Sequence, residues 1–226
     1  MDKLAKLNRP PAAENWARLQ HPSVGETTKK LYCFMKGSPT WNYLPARNAS
    51  LYHIEDRISR ATALEVVERS GSRLGRPYNI ELINAFFDHA EKSPFDGVPA
   101  FKGFSQFFPL GRNVGIPVRP LAVVRRNGRF SPIFLCPWSS EGLSQYQKSL
   151  YMTILEKAIF TLTDFDDAEG QVLLFPKCSV QGGVKKRTPV VWRRGEVPLL
   201  SDKDFLDQIK IFFEGQKMAA KLLSSQ

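Results

Sequence analysis

The sequence predicts an α/β fold in which a mixed β-sheet is flanked by helices, with an α+β arrangement as the alternative. Three patterns predict it: helical periods at 53–92, a strand pair at 118–137, and a long helix followed by further strands. A hairpin, a crossover helix and a later strand produce a sheet that helices cover. Hydrophobic residues make up 42% of the 226 residues and aromatic residues 12%, which is enough to bury a core.

The helical periods define an N-terminal layer. Residues 1–75 are expected to form an arm and a helical layer on an α/β core of residues 76–226, in one compact unit. Apolar residues recur every three or four positions from 53 to 70, which predicts a helix that ends before Gly71. A second apolar stripe spans 79–92 and begins at an asparagine, a residue type that caps helices.

The sheet is expected to begin with a β-hairpin. The runs LAVVRR and RFSPIFLC flank Asn127-Gly128, the dipeptide favoured in two-residue type I′ turns. Strands are therefore expected at about 118–126 and 129–137.

A long helix, two strands and a C-terminal helix complete the predicted order. The long helix opens at Ser139-Ser140 and keeps an apolar stripe up to Leu162. The apolar runs QVLLFP and PVVWRR follow as strands, and a capping pattern at Ser201 and Asp204 begins the last helix.

Positive charge is concentrated where the strands are expected. The net charge is +10, and no acidic residue lies between Asp96 and Glu141 or between Glu169 and Glu196. Acids therefore belong mainly to the predicted helices, and the sheet region carries a field of one sign. Such a surface favours a polyanionic partner, with nucleic acid as the first interpretation and an acidic protein partner as the alternative.

Basic residues beside two predicted turns are the candidate nucleic-acid contacts. Arg126 and Arg129 should face each other across the hairpin, where like charges destabilise a sheet, so a retained pair suggests an anionic partner. The alternative is a solvated tip whose charges protect the sheet edge. The Gly-Gly loop at 181–187 adds three consecutive cations, and both clusters are expected to share one electropositive face. The full candidate set is Arg119, Arg125, Arg126, Arg129, Lys185, Lys186, Arg187, Arg193 and Arg194.

Composition and motifs exclude several classes of protein. Three cysteines without a C-x-x-C spacing argue against a disulfide scaffold and a zinc finger, and they favour a reducing compartment. The N-terminal residues contain no apolar signal-like run, and no run approaches membrane-spanning length, so a cytoplasmic protein without a membrane partner is expected. Phosphate-loop, dinucleotide-binding and nucleophile-elbow motifs do not occur, so no cofactor, metal or catalytic residue is predicted.

The hairpin and the helix after it also carry a resemblance to a known family. VRPLAVVRRNGRFSPIFLCPW looks like a hairpin and motif strand, and SQYQKSLYMTIL places Gln147 and Tyr151 in a Q-x-x-x-Y pattern. Over residues 79–195 this order resembles the core of the PD-(D/E)XK restriction-endonuclease-like superfamily. The resemblance implies a restriction-endonuclease-like core.

The positions that carry catalysis in that family depart from its pattern here. The family's Asp would fall near Arg119 or Leu121, and its acid-x-Lys would fall within 134–137, where the residues are Phe-Leu-Cys-Pro. Magnesium is bound through carboxylate oxygens, which these positions lack. The resemblance therefore implies a degenerate member, a non-catalytic nucleic-acid-binding protein on a nuclease-like scaffold.

The alternative is a metal-dependent nuclease whose acids are displaced. Such a site would be assembled from acids before the QVLLFP strand and one acid on the second predicted helix: Asp164, Asp166, Asp167, Glu169 and Glu81. The same cluster is also typical of a solvated turn between a helix and a strand, because Asp favours turns.

Overall fold

A computed structural model of the chain describes residues 8–37, 40–111, 113–140, 142–179, 183 and 185–225. The described residues form seven α-helices: α1 (Ala13–Leu19), α2 (Val24–Lys36), α3 (Leu44–Asp56), α4 (Arg60–Arg69), α5 (Arg76–Ala90), α6 (Gln145–Leu155) and α7 (Asp202–Ser224). The strands are β1 (Val98–Ala100), β2 (Gln106–Gly111), β3 (Val114–Val118), β4 (Ala122–Arg126), β5 (Arg129–Cys136), β6 (Gln171–Leu174), β7 (Lys177–Ser179), β8 (Lys185–Arg187) and β9 (Val190–Arg193). A π-helical turn at Glu156–Phe160 extends α6, and a 3₁₀ turn at Thr163–Phe165 follows it.

The central sheet has five strands in the order β1-β4-β5-β6-β9. Strands β5 and β6 are parallel, because α6 crosses over between them, and the other neighbours are antiparallel. Two further ribbons, β2–β3 and β7–β8, each contain two antiparallel strands. The prediction of an α/β fold with a mixed sheet flanked by helices is confirmed.

The predicted hairpin forms between β4 and β5. Arg126 pairs directly with Arg129, and both turn residues have positive φ, 51° at Asn127 and 82° at Gly128. These dihedrals are those of the two-residue turn that the Asn-Gly dipeptide favours.

Helices pack on both faces of the sheet, and the N-terminal segment is divided between them. Strand side chains alternate between the faces. On one face Val124, Ile133 and Leu173 pack under α3, α4 and α5; we call this the α5 face. On the other, Phe134 and Trp192 join a core with residues of α1, α6 and α7, and Trp16 of α1 meets Phe212 of α7 at 5.4 Å.

Three helix boundaries differ from those predicted, each for a local reason. The helix predicted at 53–70 is broken, because Arg57 takes a left-handed conformation (φ 56°) and Ser59 caps a new helix. Asn79 lies inside α5 rather than at its start, and its side chain bonds to the Ala46 N–H and to the Asn42 and Gly75 carbonyls. The next helix starts after Ser144, where the Ser144 and Gln147 side chains form a reciprocal capping box.

The C-terminal helix begins as predicted, since the Ser201 side chain accepts a hydrogen bond from the Asp204 N–H. Within the part of the chain that is described, no helix is both long and apolar enough to cross a bilayer.

Candidate functional site

A cleft of about 990 Å³ opens on the α5 face, at the hairpin end of the sheet. Its floor comes from β4, β5, β6 and β9, and its wall comes from His89 near the end of α5 and from residues 93–96. A cleft of this volume lies within the range that proteins use for small ligands.

The floor becomes polar because each of its four strands changes from apolar to polar toward the hairpin end, and the change is staggered between strands: Val124 pairs with Ser131, and Ile133 pairs with Gln171. In each strand, an apolar residue on the α5 face is separated by two positions from a polar residue nearer the hairpin end. The pairs are Val124 and Arg126, Ile133 and Ser131, Leu173 and Gln171, and Val191 and Arg193. Since α5 ends at Ala90 and the chain turns away at Pro94, the polar row is left open to solvent.

Arg57 holds the wall of the cleft in place through hydrogen bonds to two backbone carbonyls. Its guanidinium donates to the Phe95 carbonyl at 2.9 Å and to the Gly97 carbonyl at 3.0 Å. At Gly97, φ is 118° and a Cβ atom would lie 2.7 Å from the Arg125 carbonyl oxygen. The segment therefore needs glycine to pass this close to β4.

Three arginines bring exposed positive charge to the cleft. The Arg126 side chain has no hydrogen bond or ion pair with any described residue. Arg129 Nε lies 3.1 Å from Asp167 Oδ2, and Arg193 Nη1 lies 3.3 Å from Glu196 Oε1, with the two arginine side chains 60% and 68% exposed. Ion pairs this exposed contribute little free energy, so either arginine can exchange its carboxylate for another anion.

Arg194 also borders the cleft but has a structural role. Its guanidinium makes two bonds to the Glu156 carboxylate, at 2.6 and 3.0 Å, and one to the Asp166 carbonyl at 2.7 Å. It also lies over the Phe160 ring, 4.4 Å from the centroid. These contacts tie the π-helical turn to the end of β9, and they leave Arg194 committed within the protein.

Two neutral polar side chains in the cleft were missed by the sequence reasoning. The Gln171 amide and the His89 imidazole make no side-chain hydrogen bond to a described residue. Burial lowers the pKa of His89, which favours the neutral ring with one donor and one acceptor. The available signal was the alternation along β6, where Gln171 shares a face with Leu173.

Two of the predicted contacts lie elsewhere. Arg125 is on the opposite face of the hairpin from Arg126, with its guanidinium 5.6 Å from the Phe130 ring centroid. Arg119 precedes β4 at the far end and lines a smaller cavity of about 280 Å³. Its carbonyl accepts a hydrogen bond from Arg47 at 3.1 Å.

The basic cluster after the Gly-Gly loop differs most from the prediction. Residues 185–187 form β8 rather than a loop, whereas Gln181 and Gly182 lie outside the described residues. The expectation that Arg187 is exposed is wrong, because its side chain is only 2% exposed. It donates to the carbonyls of Pro137, Trp138 and Phe175 and to the Tyr43 hydroxyl, at 2.9 to 3.2 Å.

Lys185 and Lys186 are exposed, but neither lines the cleft. Lys186 Nζ lies 3.7 Å from Asp88, the residue before His89 on α5. One cation of the ribbon therefore approaches the cleft wall, and its charge is partly offset by a helix carboxylate.

The structure does not assemble the displaced acids. Glu81 pairs with Lys177 at 2.7 Å and lies 3.8 Å from Arg187, beyond the ends of β5 and β6. Asp167 pairs with Arg129 at the start of β5, about 20 Å away along that strand. Among the described residues, no group of three or more His, Cys, Asp or Glu side chains could hold a metal ion.

Comparison with models of known protein families and with curated proteins gave no match to this chain.

Proposed function

We propose that the protein binds nucleic acid at the cleft and at the face of the hairpin that carries Arg126 and Arg129, and that it does so without cleaving it. The observation that carries this proposal is the convergence of Arg126, Arg129 and Arg193 on one open cleft, with Arg126 free of any acidic partner among the described residues. Self-repulsion makes such convergence costly unless an anion is bound. Arginine recognises phosphate through paired N–H donors.

The charge balance around the cleft supports the same function. Four arginines line it, against the two acids Asp96 and Glu169. The acids that pair with Arg129 and Arg193 are solvent-exposed, so an arriving phosphate competes only with weak contacts. With a net charge of +10, the chain also attracts polyanions from a distance.

The absence of cleavage rests on the resemblance to the PD-(D/E)XK superfamily and on the residues at its catalytic positions. Phe134, Leu135 and Cys136 are buried in the central strand β5, where a carboxylate and a lysine would be needed. We therefore expect magnesium or manganese to leave oligonucleotides intact. Cleavage that is lost in Asp167→Ala would instead support the nuclease with displaced acids.

The experiment that tests binding is an anisotropy titration of labelled oligonucleotides at several salt concentrations. Affinity should fall with salt, with a log–log slope of about −0.9 per phosphate on B-DNA and about −0.7 on single strands. Arg126→Ala should weaken binding about 10-fold, since it removes a charge-assisted contact.

Arg125→Ala is the matched control for this variant. It removes the same charge from the neighbouring position of the same strand, but on the opposite face. Because exposed charges are screened over about 10 Å, its affinity should stay within about twofold of the wild type. Binding that is independent of salt, or equal losses for the two variants, would contradict the proposed site.

A further inference from the structure

We infer that the cleft takes a single unpaired nucleotide from a single-stranded polynucleotide, with the base on the apolar floor and the flanking phosphates at Arg126 and Arg193. This inference rests on the proposed function and names its ligand class. Three features carry it: the apolar floor, the unused polar side chains, and the spacing of the arginines.

The floor beneath the arginines is apolar, which a site for phosphate alone does not require. Of the apolar residues that line the cleft, Val191 is partly exposed, whereas Val124, Ile133 and Phe95 are almost completely buried beneath its surface. Phe95 is itself stacked on Phe86, with centroids 5.3 Å apart, so the wall is packed against α5. Bases bind to apolar and aromatic surfaces through their faces, whatever their sequence.

The polar side chains above this floor suit the edge of a base. Gln171 and His89 each offer a donor and an acceptor, and neither is used by a described residue. Ser131 differs, because its hydroxyl donates to the Glu169 carbonyl. An amide and an imidazole left open in one half-buried cleft match the Watson–Crick or Hoogsteen edge of an unpaired base.

The arginines lie on either side of this position. Arg126 on β4 and Arg193 on β9 are three strand spacings apart, about 14 Å across the sheet. They are also offset by four residues along the strands, so their backbones are about 19 Å apart. Gln171 pairs directly with Arg193 across β6 and β9, so the base-edge contact lies beside Arg193, on the side that faces β4. Both long side chains can reach inward, and each can then meet a phosphate on one side of a nucleotide.

A base inside a duplex cannot occupy this site. Its faces are covered by stacked neighbours and only its edges show in the grooves, so the floor would remain empty. The cleft of about 990 Å³ has room for a nucleotide and is too small for a double helix. A single strand, or a base displaced from a helix, meets the requirement without further rearrangement.

The test uses the full chain and four probes of equal length: single-stranded DNA, single-stranded RNA, duplex DNA, and single-stranded DNA with abasic sites throughout. The abasic strand keeps the phosphates and removes the bases. The inference predicts that at least one single strand binds about 10-fold more tightly than the duplex and the abasic strand, because neither of these can stack a base on the protein. Comparing the affinities of the single-stranded DNA and RNA probes shows which sugar the site prefers.

Two variants assign the contacts. Gln171→Met keeps the side-chain length and removes the amide, so it should reduce the preference for the single strand over the abasic strand and leave the salt slope unchanged. Arg126→Ala should reduce that slope by about 0.7, the contribution of one phosphate on a single strand. Thermal unfolding of both variants confirms that they are folded.

The outcomes separate this inference from the proposed function. Equal affinity for the single strand, the duplex and the abasic strand, with a normal salt slope, would overturn base insertion and leave nucleic-acid binding intact. Failure to bind any of the four probes would overturn both. Since these comparisons use the wild-type protein, they do not depend on how well a variant folds.

Discussion

The tip of the β4–β5 hairpin and the β7–β8 ribbon have similar local sequences and different surroundings. Each places consecutive cations close to glycine in the sequence, Arg125-Arg126 in one and Lys185 to Arg187 in the other. At the hairpin, Arg126 projects into an open cleft without an acidic partner among the described residues. In the ribbon, Arg187 is buried and its guanidinium is bonded to three carbonyls and a hydroxyl.

The difference comes from what lies beneath each strand. The hairpin tip extends past the end of α5, so its charges meet solvent. The ribbon lies against α5, where Glu81 is 3.8 Å from Arg187 and Asp88 is 3.7 Å from Lys186. Consecutive cations therefore do not form one surface. Their side chains alternate between the two faces of the strand, and the nearest helix determines what each one contacts.

The largest expected effect is on stability, in Arg187→Ala. The change leaves three buried carbonyls and the Tyr43 hydroxyl without their donor, and each unsatisfied buried group costs about 1–3 kcal/mol. The free energy of unfolding should fall by about 3 kcal/mol or more, close to the cost of breaking a buried ion pair. Denaturation in urea measures it.

Lys186→Ala is the control, since it removes the adjacent charge from an exposed position. Its free energy of unfolding should change by no more than about 0.5 kcal/mol. If Arg187→Ala were as stable as this control while losing affinity for oligonucleotides, the contrast between ribbon and hairpin would be lost and Arg187 would belong to the binding surface.

The second effect, of intermediate size, is on affinity. The double variant Lys185→Ala/Lys186→Ala should weaken oligonucleotide binding by no more than about threefold, as expected for long-range charge alone. The pair Arg126→Ala/Arg193→Ala should weaken it at least about 10-fold and lower the salt slope. Anisotropy titrations compare them directly. Equal losses would mean that the ribbon and the hairpin tip share one binding face, as the sequence predicts.

Features encoded locally could be predicted from the sequence. The Asn127-Gly128 turn sets its own dihedrals, and the Ser201 cap marks the start of α7 without help from the rest of the protein. The α/β class followed from the order of such elements. Boundaries set by distant contacts were missed: Asn79 reads as a cap, yet it is bonded to Asn42 and Ala46 inside the fold.

The candidate site could be predicted only in part, for a similar reason. Arg126, Arg129 and Arg193 stand out in the sequence because acids are absent around them. Gln171 and His89 carry no such signal, since their role depends on which face of β6 is exposed and where α5 ends. Arg187 has the same local signal as Arg126, and only its position over the ends of β5 and β6 shows that it is structural.

The smallest expected effect is a pH dependence that belongs to the cleft. Burial lowers the pKa of His89 below its ordinary value of about 6.5. The folded protein therefore takes up this proton less readily than the unfolded chain. The stability that depends on neutral His89 is fully present above about pH 6.5 and is lost as the pH falls through the lower folded pKa.

His89→Gln removes the titration, so its free energy of unfolding should decline less than that of the wild type below pH 6.5. Urea denaturation at pH 8 and at pH 5.5 measures the difference. A wild-type decline that His89→Gln leaves unchanged would assign the pH dependence to other groups and remove His89 from this account of the cleft.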